Sequence, residues 1–128
     1  MYKDLSRGTK LSITLSIKKA FITYMESIDW NDDKYESEQF IAFWKEYSEE
    51  NSTWMKEIDQ TLLHKPEFQE ELTNKVNEVI QKVIETEPSE DQMKEIDRLI
   101  AELDTNDVDY CCKAEADYRL ALLKDQLN

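Results

Sequence analysis

The chain has 128 residues, a length typical of one hydrophobic core, and we expect a single all-helical domain over residues 1–128. It holds one glycine and two prolines, which disfavours sheets and tight turns and predicts an all-α bundle of about five to six short amphipathic helices. Residues 1–30 carry five basic and three acidic side chains, and residues 31–128 carry eleven and twenty-six, so the net charge of −13 disfavours nucleic acid and anionic membranes as direct partners.

The segment from Leu11 to Ile17 is ambiguous, because apolar and hydroxyl residues alternate there as in a half-buried strand. No second run of this kind is present to pair with it, so we favour a helix that extends to about Asp29. The helix would expose Ser12, Ser16, Lys19, Thr23, Glu26 and Ser27, and it would bury Leu15, Ile17, Phe21, Ile22, Tyr24, Met25 and Ile28.

The next helix is predicted to begin at Asn31, whose side chain suits an N-cap, while Trp30 and Tyr35 suit a hydrophobic staple. Asn51 to Thr53 are poor helix formers and should end it. A short third helix should follow and end before Pro66. The inner faces of these two helices comprise Phe40, Ile41, Phe43, Trp44 and Tyr47, and then Trp54, Met55, Ile58 and Leu62.

Three more helices are predicted in the second half of the chain. Pro66 suits the first turn of one helix, Ser89 with Gln92 forms a capping box for the next, and the last should begin near Val108. Apolar residues recur at three- and four-residue spacing along them. The predicted core includes Leu72, Val76, Val79, Ile96, Leu99, Ile100 and Leu122.

Few residues suggest metal or cofactor chemistry, and we expect neither a metal site nor a cofactor. His64 is the only histidine, which excludes multi-histidine zinc and di-iron sites, and we expect it to serve a helix end. One glycine cannot build a phosphate-binding loop. Two acidic segments, around Asp29 to Asp33 and around Asp104 to Glu115, match calcium loops only in part, and helix capping accounts for both.

The two adjacent cysteines, Cys111 and Cys112, cannot staple the fold, and their use indicates a reducing cytoplasm. The helical stripe predicts that Cys111 lies in the core and Cys112 on its flank. Asp107 and Asp109 should raise a cysteine pKa rather than lower it, so nucleophilic catalysis is disfavoured. We expect no enzymatic activity.

Glu46, Glu49 and Glu50 cluster on one turn of a predicted helix and are the candidate partner-binding residues. The charge asymmetry of the chain predicts a non-enzymatic binding module, of the inhibitor, immunity or regulatory adaptor type, whose acidic helical face engages a basic surface of a partner protein. Mimicry of a DNA backbone is a variant of this hypothesis, and a purely solubilising acidic surface is the simpler reading. The alternative is a small-molecule or lipid sensor with an apolar cavity lined by Phe21, Phe40, Phe43, Trp44 and Met55.

Overall fold

The computed structural model describes residues 1–127, and it is 76% helical with no strand in that range, which confirms the all-α prediction. Short 3₁₀ turns occur at Tyr2–Asp4 and Asp32–Lys34. The helices are α1 (Arg7–Ser27), α2 (Ser37–Asn51), α3 (Trp54–Glu57), α4 (Gln60–Leu63), α5 (Pro66–Glu85), α6 (Glu90–Leu103) and α7 (Lys113–Asp125).

The chain divides into two compact units, Met1–Ile80 and Gln81–Asn128. The boundary falls inside α5, which contributes residues to both units. The expectation of a single domain stays a prediction.

The ambiguous N-terminal segment is helical, as predicted, and begins with Ser6, whose hydroxyl accepts a hydrogen bond from the Thr9 backbone N–H. The predicted faces are wrong at two positions. Leu15 is 43% exposed, and Ser16 is buried. The inward side of α1 is instead centred on Ile13, Ile17, Ala20, Phe21 and Tyr24.

The second helix begins later than predicted, at Ser37. Asn31 does accept a capping hydrogen bond, from the Asp33 N–H at 3.0 Å, but the turn that it caps is the 3₁₀ turn. The chain then passes through extended residues at Tyr35 and Glu36 before α2 starts. The prediction that Asn31 is an N-cap is therefore correct, but the prediction that it begins the second helix is wrong.

Aromatic side chains form the centre of the first unit. Phe21 contacts Trp30, Tyr35 and Phe40 edge to face, with ring centroids 5.6 to 6.2 Å apart. Because Trp30 and Tyr35 both pack on Phe21, the connection between α1 and α2 is held by this cluster. α1 packs against both α2 and α3.

The predicted third helix is two short helices, α3 and α4, separated by an extended Ile58. Asp59 caps α4, accepting from the Thr61 N–H at 2.7 Å, which is why the helix restarts there. Pro66 is the first residue of α5, as predicted. Within the first unit, Phe68, Leu72, Val76 and Val79 of α5 are buried.

In the second unit α6 packs against α7. Ser89 caps α6 as predicted, accepting from the Gln92 N–H, but the Gln92 side chain donates to Asp117 instead of completing the box. The buried cluster is Ile96, Leu99, Ala116 and Leu123, with Ile100, Leu103, Val108, Tyr110 and Leu120 partly buried around it.

The last helix begins at Lys113 rather than near Val108, and this shift changes which residues are buried. Cys112 is fully buried and Cys111 is exposed, the reverse of the prediction, because Cys112 is an extended N-cap. Leu122, predicted in the core, is 38% exposed, and Leu123 takes the buried position. The Lys113 N–H donates to the Thr86 carbonyl at 2.8 Å.

Two helices end with a left-handed residue that is not glycine. Asp29 (φ 56°) follows α1 and Asp104 (φ 50°) follows α6. In each case the next residue reaches back five positions, Trp30 N–H to the Met25 carbonyl and Thr105 N–H to the Ile100 carbonyl. These are Schellman caps with aspartate in the position that glycine usually occupies.

Candidate functional site

Glu46, Glu49 and Glu50 lie on the solvent side of α2, and all three are exposed. The core side of the same helix carries Phe40 and Trp44. Within residues 1–127 no ion pair involves any of the three glutamates, although Lys45 precedes Glu49 by one helical turn. The predicted cluster is therefore brought together by α2 and stays open to solvent.

Helical geometry spreads the three carboxylates over an arc of about 100° on the outward side of α2. Glu49 lines a groove of about 460 Å³ between α2 and the segment from α3 to α5. Glu46 lies between Glu49 and Glu50 around the helix, about 60° from the first and about 40° from the second, and Glu50 is the nearest of the three to Tyr47.

The groove beside Glu49 has an aromatic and apolar floor and a mixed charged rim. Trp44 and Trp54 stack at its base, with ring centroids 5.5 Å apart. Lys45, Lys56 and His64 contribute basic groups to the rim. The groove's two glutamine amides, Gln60 and Gln69, donate to the backbone carbonyls of Met55 and Leu63, so they help to form the walls.

Of the five side chains proposed for a sensor cavity, only Trp44 and Met55 line this groove. Phe21 and Phe40 are buried against each other, and Phe43 packs on Tyr24 and Tyr47. The indole N–H of Trp44 donates to the Ser16 hydroxyl at 3.0 Å. The three phenylalanines therefore serve core packing rather than a ligand cavity.

The remaining sequence candidates have structural roles. His64 is the C-cap of α4, as expected for a residue at a helix end. The side chain of Asn31 is engaged in its 3₁₀ turn, and Asp104 forms a helix cap. Within residues 1–127 no three His, Cys, Asp or Glu side chains are grouped so that they could hold a metal ion.

The Cys111 thiol faces an environment that keeps it protonated. Desolvation by packing, a hydrogen bond to Cys112 with the sulfurs 3.4 Å apart, and the Glu115 carboxylate raise the pKa of Cys111 to about 12. The carboxylate responsible is thus Glu115, rather than Asp107 or Asp109 as predicted. Glu115 also accepts from the Cys111 N–H at 2.9 Å and pairs with Arg119.

Comparisons with protein-family models, with curated proteins and with solved structures find no match for this chain. Within residues 1–127, each helix is too short or too polar to cross a lipid bilayer. The function must therefore be argued from the residues of the chain itself.

Sequence reasoning missed both the groove beside Glu49 and the exposed leucines of α1. The groove depends on the break between α3 and α4, which no periodicity indicates. The exposed leucines had a signal: an alternating run on a helix places Leu11 and Leu15 about 120 to 160° away from Ile13 and Ile17. The four apolar residues of such a run therefore cannot all be buried on one side of α1.

Proposed function

We propose that this protein is a small acidic binding module, without enzymatic activity, that engages a basic surface of a partner protein. The observation that carries the proposal is the exposed and unpaired state of Glu46, Glu49 and Glu50 on one helix. Carboxylates that make no ion pair within their own fold are available to basic side chains of another protein. The rigid helix presents them at a fixed spacing.

The excess of negative charge supports this function through the kinetics of association. A net charge of −13 attracts basic proteins over distances longer than a contact, and such steering increases the association rate constant. An inhibitor, an immunity protein and a regulatory adaptor are all compatible with this chemistry. The reducing cytoplasm, where two free thiols persist, is the proposed compartment.

The test begins with capture of partners from a native lysate and continues with binding kinetics on the purified partner. Reversal of Glu46, Glu49 and Glu50 to Lys should reduce the association rate constant by about tenfold or more at low salt. Binding of the wild-type protein should weaken as salt rises, because exposed charges are screened over about 8–10 Å at physiological ionic strength.

A matched control distinguishes the effect of the three glutamates on association from the effect of net charge. Asp107, Asp109 and Asp125 are also exposed, and changing them to Lys alters the net charge equally. The control should retain most of the wild-type association rate. Equal rates for wild type and the Glu46 triple variant would contradict the proposal.

The alternative function is a small-molecule sensor, and the groove of about 460 Å³ is the observation that favours it. This volume lies within the range of known ligand pockets. Native mass spectrometry of the same purified protein separates the two functions. A stoichiometric small molecule that co-purifies would favour the sensor.

A further inference from the structure

The α1–α2 pair has an outward surface that the first unit leaves uncovered. Leu11 is 56% exposed and Leu15 is 43% exposed, and one helical turn separates them on α1. An exposed leucine is common on its own, but two on one helix face beside a groove form an apolar stripe. We call this surface, centred on Leu11, Leu15 and Tyr47, the hairpin face.

The hairpin face contains a groove between α1 and α2. It measures about 410 Å³, and Gly8, Ser12 and Leu15 line it from α1 while Tyr47 and Asn51 line it from α2. A Cβ atom added at Gly8 would meet nothing within 4 Å. Small residues along α1 thus leave room for a close approach of backbone from outside.

The two helices of the hairpin face carry opposite charge. Arg7, Lys18 and Lys19 lie within about 60° of Leu11 or Leu15 around α1, all three are exposed, and Lys19 also lines the groove. We call them the basic edge. Glu46 and Glu50 lie on the Tyr47 side of α2 and form the acidic edge.

Within residues 1–127, no ion pair engages a side chain of either edge. The helices are antiparallel, since Phe21 and Tyr24 contact Phe40 while Ser16 accepts from Trp44. This pairing places Lys19 and Glu46 at similar heights along the hairpin. A surface with basic residues on one helix, acidic residues on the other and apolar residues between them is complementary to itself.

We propose that the hairpin face binds a second copy of this chain, in a symmetric dimer whose two-fold axis runs parallel to α1 and α2. This axis places α1 of one copy against α2 of the other, so each basic edge meets an acidic edge. A two-fold axis across the helices would instead place α1 on α1 and bring like charges together. The result is a four-helix contact closed around Leu11 and Leu15.

The dimer goes beyond the proposed function and competes with it, because it covers Glu46 and Glu50, but the two can be tested separately. Glu46 and Glu50 belong to both surfaces, whereas Leu11 and Leu15 belong to the dimer alone. A double leucine variant should lose self-association and still bind the captured partner. Failure of the dimer would leave the partner-binding test untouched.

The first experiment is sedimentation equilibrium of the full chain over about 1 to 500 µM, a range that brackets weak and moderate interfaces. Wild type should pass from monomer to dimer. Leu11→Ser with Leu15→Ser should weaken the dimer by about 100-fold or more, since four leucines leave the interface. The control, Ile84→Ser with Leu122→Ser, removes two comparably exposed apolar residues and should dimerise as wild type.

The second experiment tests the orientation by charge exchange. Lys18→Glu with Lys19→Glu, and separately Glu46→Lys with Glu50→Lys, should each prevent homodimers. Mixing the two variants should restore a heterodimer, because both helix contacts then join opposite charges. The chain that carries all four changes should form homodimers again.

Circular dichroism of each variant verifies the helical fold before the comparison. A wild-type chain that remains monomeric throughout the concentration range overturns the proposal. A double leucine variant that dimerises as wild type also overturns it. The same holds if the two charge variants are each monomeric and form no heterodimer when mixed.

Discussion

At the scale of single residues, two buried serines on facing helices differ in how their hydroxyl groups are used. The Ser16 hydroxyl donates to the Ile13 carbonyl at 2.7 Å and accepts from the Trp44 indole N–H. The Ser48 hydroxyl is fully buried and has no hydrogen-bond partner among the described residues. Burial of an unpaired hydroxyl costs free energy, whereas a paired one is compensated.

We therefore expect opposite consequences from the same change at the two positions. Ser16→Ala should lower the free energy of unfolding by about 1–3 kcal/mol, because the buried indole N–H loses its acceptor. Ser48→Ala should alter it by about 0.5 kcal/mol or less, or stabilise the protein. Urea denaturation followed by tryptophan fluorescence measures both. Equal losses would show that the hydrogen bond to Trp44 contributes little.

Burial of these serines was beyond prediction from the sequence, because their pairing depends on which side chain faces them across α1 and α2. Ser16 reads as an outward residue on a helical wheel, yet Trp44 brings a donor to it. The prediction of which cysteine is buried was wrong for a related reason. A helical periodicity was applied to Cys111 and Cys112, and neither belongs to a helix.

At the scale of helices, the predictions succeeded where the apolar periodicity was strong and failed where a long-range contact set the helix boundary. Strong three- and four-residue periodicity in α5 and α6 predicted Leu72, Val76, Val79, Ile96 and Leu99, and all five are buried. The predicted start of α7 was wrong. Val108 continues the apolar pattern, whereas the helix begins at Lys113, whose backbone N–H donates to the Thr86 carbonyl. That contact joins residues far apart in sequence, and no local pattern encodes it.

The α6–α7 pair offers a direct test of this corrected register. Leu99→Ala should destabilise the protein by about 2–5 kcal/mol, because Leu99 is fully buried and the change leaves a cavity. Leu122→Ala, at a position that is 38% exposed, should cost about 1 kcal/mol or less. Thermal or urea unfolding compares the two variants. A larger loss at Leu122 than at Leu99 would restore the original prediction for α7.

At the scale of the whole molecule, composition was sufficient to predict the fold class but not to predict the grooves of the candidate site. Scarce glycine and proline predicted an all-α chain, since few residues are available for tight turns. The acidic cluster was predicted because its three glutamates are adjacent in one helix. The grooves were not, because each is formed by residues from separate helices.

The division into two compact units gives the single-domain expectation a physical test. Because the boundary interrupts neither the backbone hydrogen bonds nor the helical run of α5, we expect the two units to unfold together. Differential scanning calorimetry should show one transition, with calorimetric and van't Hoff enthalpies in a ratio of about 1. Two resolved transitions, or a ratio well above 1, would instead indicate two domains.

The cap of α6 has a consequence for the stability of this protein. Asp104 adopts a left-handed conformation that is unfavourable for an L-residue, and it places a negative charge at the negative end of the helix dipole. Glycine would relieve both terms at the cost of some entropy in the unfolded chain. The cap nevertheless forms, because the Thr105 N–H satisfies the Ile100 carbonyl that would otherwise lack a partner at the helix end.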